Sequence, residues 1–468
     1  MSRINTNISS LQAIHKLHRN NNDMATRLER LSSGLRINTG KDAPAALIAS
    51  ETLRAEISGI SQAIENSERA NHVINTAEGA LSEVSALLRE LQALTNEAAN
   101  SGALSAEEIT ANQLQVDSIL NSVNRIANTT QFNGKKLLNG SLDYTTSGIS
   151  TTNFSNVRVN SARLPDNAAV NVVVAVTQSA QTATLGYTGG TLGAGNNVTI
   201  EIAGNKGAEQ LSFREGATVA EMVTAINNVK NATGVSAIVS GGTDLGLYST
   251  AYGSTQYVSL STISGTFVPT ATSDFGRDAS VTINGAAAQA DGLAISFRSS
   301  NLDVEIDLGT AFNTAGSDDF YVTGGGADFS LGSKVTELNK VSLGIASVSV
   351  GRLGDNIDGY LSTMGSGGTN SLSSDRLVTA QRILDKSIKQ VAQLRGRLGA
   401  FQKEILESNI NSLSVALENV TASESAIRDA DFAEETAALT RAQILVQATT
   451  SVLAQANLTP QNVLALLQ

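Results

Sequence analysis

Apolar positions divide the chain into two helical arms around a middle of different period. From Ile14, apolar residues recur at Leu17, Met24, Leu28 and Leu31, with Asn21 interrupting the stripe. That spacing predicts a heptad-like helix over 1–33, in which a buried Asn21 would fix register at some cost in stability. Gly34 and Gly40 bracket a connector, Asp42 can cap, and Pro44 stands at the favoured first position of a second helix. From Pro44 to about Asn100 a seam of Ile57, Ile60, Ile64, Ser67, Asn71, Ile74, Leu81, Val84, Leu88, Leu91, Leu94 and Ala98 hardly breaks. At about 1.5 Å per residue that is roughly 85 Å of helix, a length that suits a coiled coil or a filament rather than a globular domain. Ser101-Gly102 turns the chain, and Ile109, Asn112, Val116, Ile119, Val123 and Ile126 predict a third helix running back along the second.

The middle has period two. Asn133-Gly134 and Asn139-Gly140 flank Lys135 to Leu138, a hairpin signal. From about 150 to 345 the chain is rich in Gly, Thr, Ser, Ala and Val, with alternating runs such as Val198-Thr199-Ile200-Glu201-Ile202. These predict strands, interrupted by one helix over Thr218–Asn228. The sequence leaves open whether they build one unit or two.

After Gly367-Gly368 the helical period returns through Leu377, Ala380, Leu384, Ile388, Val391, Leu398, Phe401, Ile405, Ile410, Leu413, Leu417 and Val420. In the last arm Ala438, Leu445, Thr449, Val452 and Ala456 share a face made mostly of small residues, which suits close packing against copies of the same helix. Pro460 is expected to end that helix. Val463 to Leu467 is then an apolar plug at a chain end that would normally fray, so something should cover it.

The reading is a mainly α fold with an inserted β domain, in which both termini form long antiparallel helical hairpins or a coiled coil. Residues 1–43 with 424–468 form terminal helices, 44–170 with 341–423 a helical rod with a small β-hairpin, and 171–340 a β-rich outer domain. The terminal faces are narrow and rich in Ala and Thr. Ordering costs about 1–2 kcal/mol per residue against about 25 cal/mol per Å² of apolar burial, so a lone pair is expected to stay largely disordered until assembly.

Length and composition narrow the class. At 468 residues the chain exceeds one ordinary domain. Aromatics are 4% and Trp is absent, so the cores are aliphatic. A net charge of −11 argues against nucleic acid and anionic membranes as partners. No run approaches the ~18 apolar residues of a membrane span, and Ser2 to Asn22 lacks a signal-peptide core, so no membrane insertion is expected. Without cysteine there is no thiol chemistry or disulfide. His15 and His18 share a helix face but lack a third metal ligand nearby, no phosphate loop follows Gly40-Lys41 or Gly134-Lys135, and Asp429 with Asp431 suits an acidic first helical turn. No catalytic, cofactor or metal site is expected, and the chain is read as not an enzyme.

Several motifs carry a resemblance. Arg3 to Asn7, Leu31 to Asn38, Thr130 to Leu138, Arg397 to Gln402, Ile427 to Glu435, Ile444 to Ala448 and Leu453 to Asn457 are similar, in that order, to bacterial flagellins. The likeness covers roughly 1–140 and 350–468. Thr218–Asn228 with Gly234 to Ala237 resembles a small motif of flagellin and hook-associated variable domains. The resemblance implies a secreted, extracellular structural protein of the bacterial flagellum that polymerises into the helical filament for motility. It also implies type III export with an export chaperone, and cap and hook-associated proteins as partners besides further copies of the chain. Filament contacts would then fall on Ile4, Leu11, Ile14, Leu17, Leu28, Leu31, Leu445, Val452, Leu464 and Leu467. Epitopes for innate receptors would fall on Arg30, Leu31, Gly34, Arg36, Ile37, Asn38, Lys41, Asp42, Leu88, Glu90, Leu94 and Gln115; the family's arginine and glutamate stand as Glu90 and Gln115 here. The zinc-protease motif of some flagellins is missing, since His15, His18 and His72 all lie outside the insert. The alternatives are a hook–filament junction protein of the same architecture and, from another class, a coiled-coil surface adhesin, for which no anchor is visible.

Overall fold

Asn7 caps helix α1 (Ile8–Ser33) by accepting the Ser10 amide at 3.0 Å, and Gly34 closes it at φ 72°, the left-handed region that suits glycine. In this computed structural model the described residues are 6–465, less 101, 165–167, 194 and 375, and beyond 458 only the backbone is described. Helix α2 (Pro44–Ala98) starts on its proline. Helix α3 (Ala106–Thr129) opens on a capping box in which Ser105 and Glu108 satisfy each other's amides. Asn133 (φ 50°) and Gly134 (φ 80°) make the two-residue turn joining Gln131–Phe132 to Lys135–Lys136, as the dipeptide predicts. Helix α4 (Val219–Asn228) carries its own box, Thr218 with Glu221, and the single turn α5 (Lys230–Thr233) follows. The last arm holds α6 (Leu377–Ala400), α7 (Ser408–Arg428) and α8 (Phe432–Ala465).

Two local expectations fail for identifiable reasons. Between α6 and α7, Phe401–Glu407 winds as a π-helix, so the inward position after Phe401 comes five residues on rather than four. Leu406 is therefore buried, and Ile405, placed on the seam by sequence, is exposed. Helix α8 also continues through Pro460. Proline has no N–H for the carbonyl four residues back, that of Ala456. The Asn7 side-chain amide donates to that carbonyl at 2.7 Å, so a donor from α1's cap stands where the helix cannot supply one.

The chain divides into two compact units, Met1–Arg69 with Ser330–Asn339 and Lys403–Gln468, and Ala70–Phe329 with Lys340–Gln402. In the first, residues 44–69 of α2 run antiparallel to α7. Ser50 donates to Glu424 at 3.1 Å, Arg428 to Glu51 at 3.0 Å, and Asn409 to Ser67 at 3.1 Å. Asn409 also donates to the Leu331 carbonyl at 2.9 Å. Gly59 leaves room for the same segment, since a Cβ there would meet the Ser333 carbonyl at 2.6 Å. Composition assigns Ser330–Asn339 to the β insert; these contacts put it in the helical unit.

In the second unit, α2 from Ala70 packs with α3 and α6. Ile74, Leu81, Val84, Leu88 and Leu91 of α2, Val116 and Val123 of α3, and Ile383, Leu384 and Leu398 of α6 are fully buried. Polar ties fix the register of α2 against α6: Arg395 to Glu78 at 2.7 and 2.8 Å, and Gln92 to Asp385 at 3.2 Å.

The β part has two cores, which decides the question left open by the sequence. The larger lies on an antiparallel eight-stranded sheet, ordered 144–147, 316–325, 170–178, 280–283, 286–291, 294–298, 302–308 and 154–162. Phe154, Phe312 and Phe320 meet edge to face inside it. Both edge strands precede residue 171, so the sheet begins before the domain boundary read from sequence. The Tyr144 hydroxyl donates to the Ala162 carbonyl at 3.1 Å and draws the two edges together. The smaller core packs Met222 and Ile226 of α4 among Ile200, Ile202, Leu245, Leu247 and Leu260 of a four-stranded and a three-stranded sheet.

Candidate assembly surface

The first unit pairs the two ends of the chain. Helices α1 and α8 lie antiparallel, stitched along their length by polar contacts. At the α8 start, the Ala430 amide donates to the Gly34 carbonyl at 3.0 Å and the Arg36 amide to the Arg428 carbonyl at 2.7 Å. One turn on, Glu435 is buried between Arg27 at 2.9 Å and Arg30 at 3.1 Å. Burial alone would push the Glu435 carboxyl up; hydrogen bonds and charge from the two arginines outweigh it and hold the carboxyl below its usual range. At mid-length Asn20 donates to the Leu445 carbonyl at 3.3 Å, and at the far end Ser10 donates to Asn457 at 2.8 Å. Ala13, Ala442 and Ala456 are buried between these ties, so methyl groups let the backbones come close.

The face itself differs from the sequence reading. The covered side of α8 runs through Glu435, Ala438, Ala442, Val446, Thr449, Leu453 and Ala456, while Leu445 and Val452 point outward. The half-buried asparagine of α1 is Asn20 rather than Asn21, which is exposed. A buried Glu435 with two arginine partners was not foreseen; its only sequence signal is an acid in the first turn of α8 opposite two arginines of α1. The structure also forms both terminal helices in a single chain, where the narrow apolar faces led us to expect disorder. Buried charge pairing and backbone stitching, which an apolar-area argument does not count, join the two helices.

Of the assembly residues named from sequence, Ile14, Leu17 and Leu31 are half-buried on α1. Leu11, Leu28, Leu445 and Val452 stand open, with Ile8, Ile444 and Leu458 beside them in sequence. Ile4 and Leu467 lie outside the described residues, as does the side chain of Leu464. The same unit exposes Ile48, Val415 and Phe432. A single chain thus keeps open large apolar side chains on both terminal helices and on the helices beside them, more than scattered surface residues require.

The receptor candidates separate by burial. Leu88 and Leu94 occupy the α2 seam and are buried, so neither can face a partner; Glu90 and Gln115 are exposed. Ile37 is buried, Gly34 caps α1, Arg30 binds Glu435 and Arg36 donates to the Ile427 carbonyl at 2.6 Å, so these four serve the fold. Leu31 and Asn38 are half-buried and Lys41 is exposed. Asp42 accepts the Thr39 amide and hydroxyl and the Asn38 amide, which holds its carboxyl below the usual range. Among the described residues no cluster of His, Asp and Glu could hold a metal, and no helix is long and apolar enough to cross a membrane.

Residues 4–143 match the bacterial flagellin N-terminal helical region, 382–467 the C-terminal helical region, and 199–251 the flagellin hook IN motif. Flagellin of Salmonella rubislaw is 31% identical, flagellin of Salmonella muenchen 30%, and flagellin B of Vibrio cholerae 29%, each over 99% of both chains. Among solved structures, flagellar hook associated protein-3 of Legionella pneumophila is 14% identical with a TM-score of 0.31, covering 80% of this chain and 97% of its own. FliC of Burkholderia pseudomallei is 16% identical with a TM-score of 0.23, covering 71% and 98%.

Proposed function

The chain belongs to the bacterial flagellin family and is a structural subunit of the flagellar filament, exposed outside the cell, and on that premise we propose how it assembles. The outward faces of α1 and α8 meet different faces of the terminal helices of neighbouring copies, and Leu11, Leu28, Leu445 and Val452 are the contacts. The observation that carries this is the division of each helix into two sides: polar ties, alanines and half-buried Ile14, Leu17, Val446 and Leu453 hold the pair within one chain, and Leu11, Leu28, Leu445 and Val452 remain open on the other side. Burying one such side chain contributes about 1.5–3 kcal/mol, and a tube repeats the gain on every subunit.

In this reading 1–43 with 424–468 line the inner tube, the helices of 44–170 and 341–423 form the next shell, and the β part faces solvent. Export through the flagellar type III channel with a chaperone, and contact with cap and hook-associated proteins at the filament ends, belong to the same proposal. No enzymatic activity enters it. Electron microscopy of the purified protein under polymerising conditions tests it: long tubes support the filament role, and short junction-like assemblies or no assembly refute it.

A further inference from the structure

A cavity of 530 Å³ lies in the second unit, walled by strand residues 156–159, the connector 346–353 and α6. Its wall carries three arginines, Arg158, Arg352 and Arg397, against a single carboxylate, Asp143. That is a local excess of positive charge in a chain of net charge −11. Arg158 is partly answered by Glu305 at 3.9 Å. Arg397 is not: its Nη1 is buried with no hydrogen-bond partner, and among the described residues neither Arg397 nor Arg352 makes an ion pair. Burial holds the Arg397 guanidinium below its usual pKa, with Glu305, Asp303 and Asp143 opposing. Burial also pushes the Asp143 carboxyl up, despite the three arginines, which weakens it as a counter-charge.

Native proteins rarely leave a buried guanidinium donor unanswered, because the desolvated N–H loses a full hydrogen bond. Asp143 spends one oxygen on the Tyr144 amide at 2.9 Å. The planar fork of arginine matches two oxygens of an oxyanion. Ser347 and Ser349 add hydroxyls to the same wall.

We propose that this cavity binds a small oxyanion of the phosphate and sulfate class, gripped between Arg352 and Arg397. Its volume leaves room for an organic group on the anion. The cavity shares no residue with the proposed terminal-helix contacts, so it stands or falls apart from the assembly reading.

The test titrates sodium phosphate, and separately sulfate, into the dilute full chain at ionic strength held constant with chloride. Calorimetry and thermal unfolding are the readouts. Saturable binding of one anion per chain is expected, with a rise in Tm that chloride does not reproduce. Arg397→Gln and Arg352→Gln should each weaken binding at least about tenfold, and Arg298→Gln, outside the cavity, should leave it unchanged. Arg352 is exposed, so its variant decides the matter if Arg397→Gln fails to fold. A Tm rise that follows ionic strength alone, or one that persists in Arg352→Gln, overturns the proposal. So does a dilute chain that ignores phosphate while Arg352→Gln loses polymerisation, which would assign the arginines to a neighbouring subunit's carboxylate.

Discussion

Replacing Glu435 by Gln tests whether buried charge, rather than apolar area, holds the terminal helices together. The Glu435 side chain is 7% exposed, and its partners Arg27 and Arg30 are 27% and 21% exposed. A hydrogen bond to a charged group contributes about 1.5–3 kcal/mol, and breaking a buried ion pair costs about 3–5 kcal/mol. Both arginines can rehydrate, and glutamine keeps the shape and one acceptor, so the loss should be about 2 kcal/mol. Amide hydrogen exchange of the monomer over Leu17–Leu28 and Ala438–Val446 reads it directly, as exchange about thirtyfold faster, since 1.4 kcal/mol is about tenfold. Glu434→Gln, at an exposed neighbour, should shift exchange by less than about 0.5 kcal/mol. The pH dependence has a definite sign. A carboxyl held low in the folded chain gives stability that is full above its unfolded pKa of about 4.3 and lost as pH falls through the lower folded value. Wild type and Glu435→Gln should therefore converge in acid below that range. Exchange in Glu435→Gln within threefold of wild type near neutral pH would refute the reasoning.

Four further outcomes follow from the same geometry. Leu445→Ser with Val452→Ser should leave monomer unfolding within about 0.5 kcal/mol of wild type yet stop filament growth seen by microscopy, because both side chains are exposed in the single chain. Gln181 and Arg277 pair through both backbone amides at 2.8 and 2.9 Å, so exchanging 182–276 for a short glycine turn should remove the smaller core and keep the eight-stranded sheet; a chain that loses its remaining strand signal in circular dichroism contradicts this. Leu406→Ala should cost about 2–5 kcal/mol in urea unfolding and Ile405→Ala under about 1 kcal/mol, the reverse order arguing against the π-helical phase. Purified monomer should activate the mammalian flagellin receptor weakly, because Glu90 puts a negative charge where the family has arginine and the matching Leu94 is buried; strong signalling at low concentration would contradict it.

Periodicity alone places nearly every helix, because the buried residues of α2 and α3 stay on one side of each helix and so repeat every three or four positions. Local chemistry placed the turns as well: Asn133-Gly134 for a left-handed pair, Thr218 and Pro44 for helix starts. Asn284-Gly285, at φ 49° and 82°, is a hairpin signal of the same kind. Seven motifs in order carry the family. What sequence did not decide is whatever depends on a partner far along the chain. Ile405 and Leu406 exchange roles because one turn widens, a choice made by packing rather than by spacing. Helix α8 passes Pro460, and Asn7, from the opposite end of the chain, donates to the Ala456 carbonyl that the proline leaves without a helical donor. Leu445 and Val452 share a face with Thr449 on a helical wheel, yet the ties at Asn20 and Glu435 rotate α8 so that Val446 and Leu453 turn inward instead. The segment Ser330–Asn339 has the composition of the insert but is held by Gly59 and Asn409. A one-dimensional pattern states which residues prefer to be buried; which neighbour buries them is settled only when distant backbones meet.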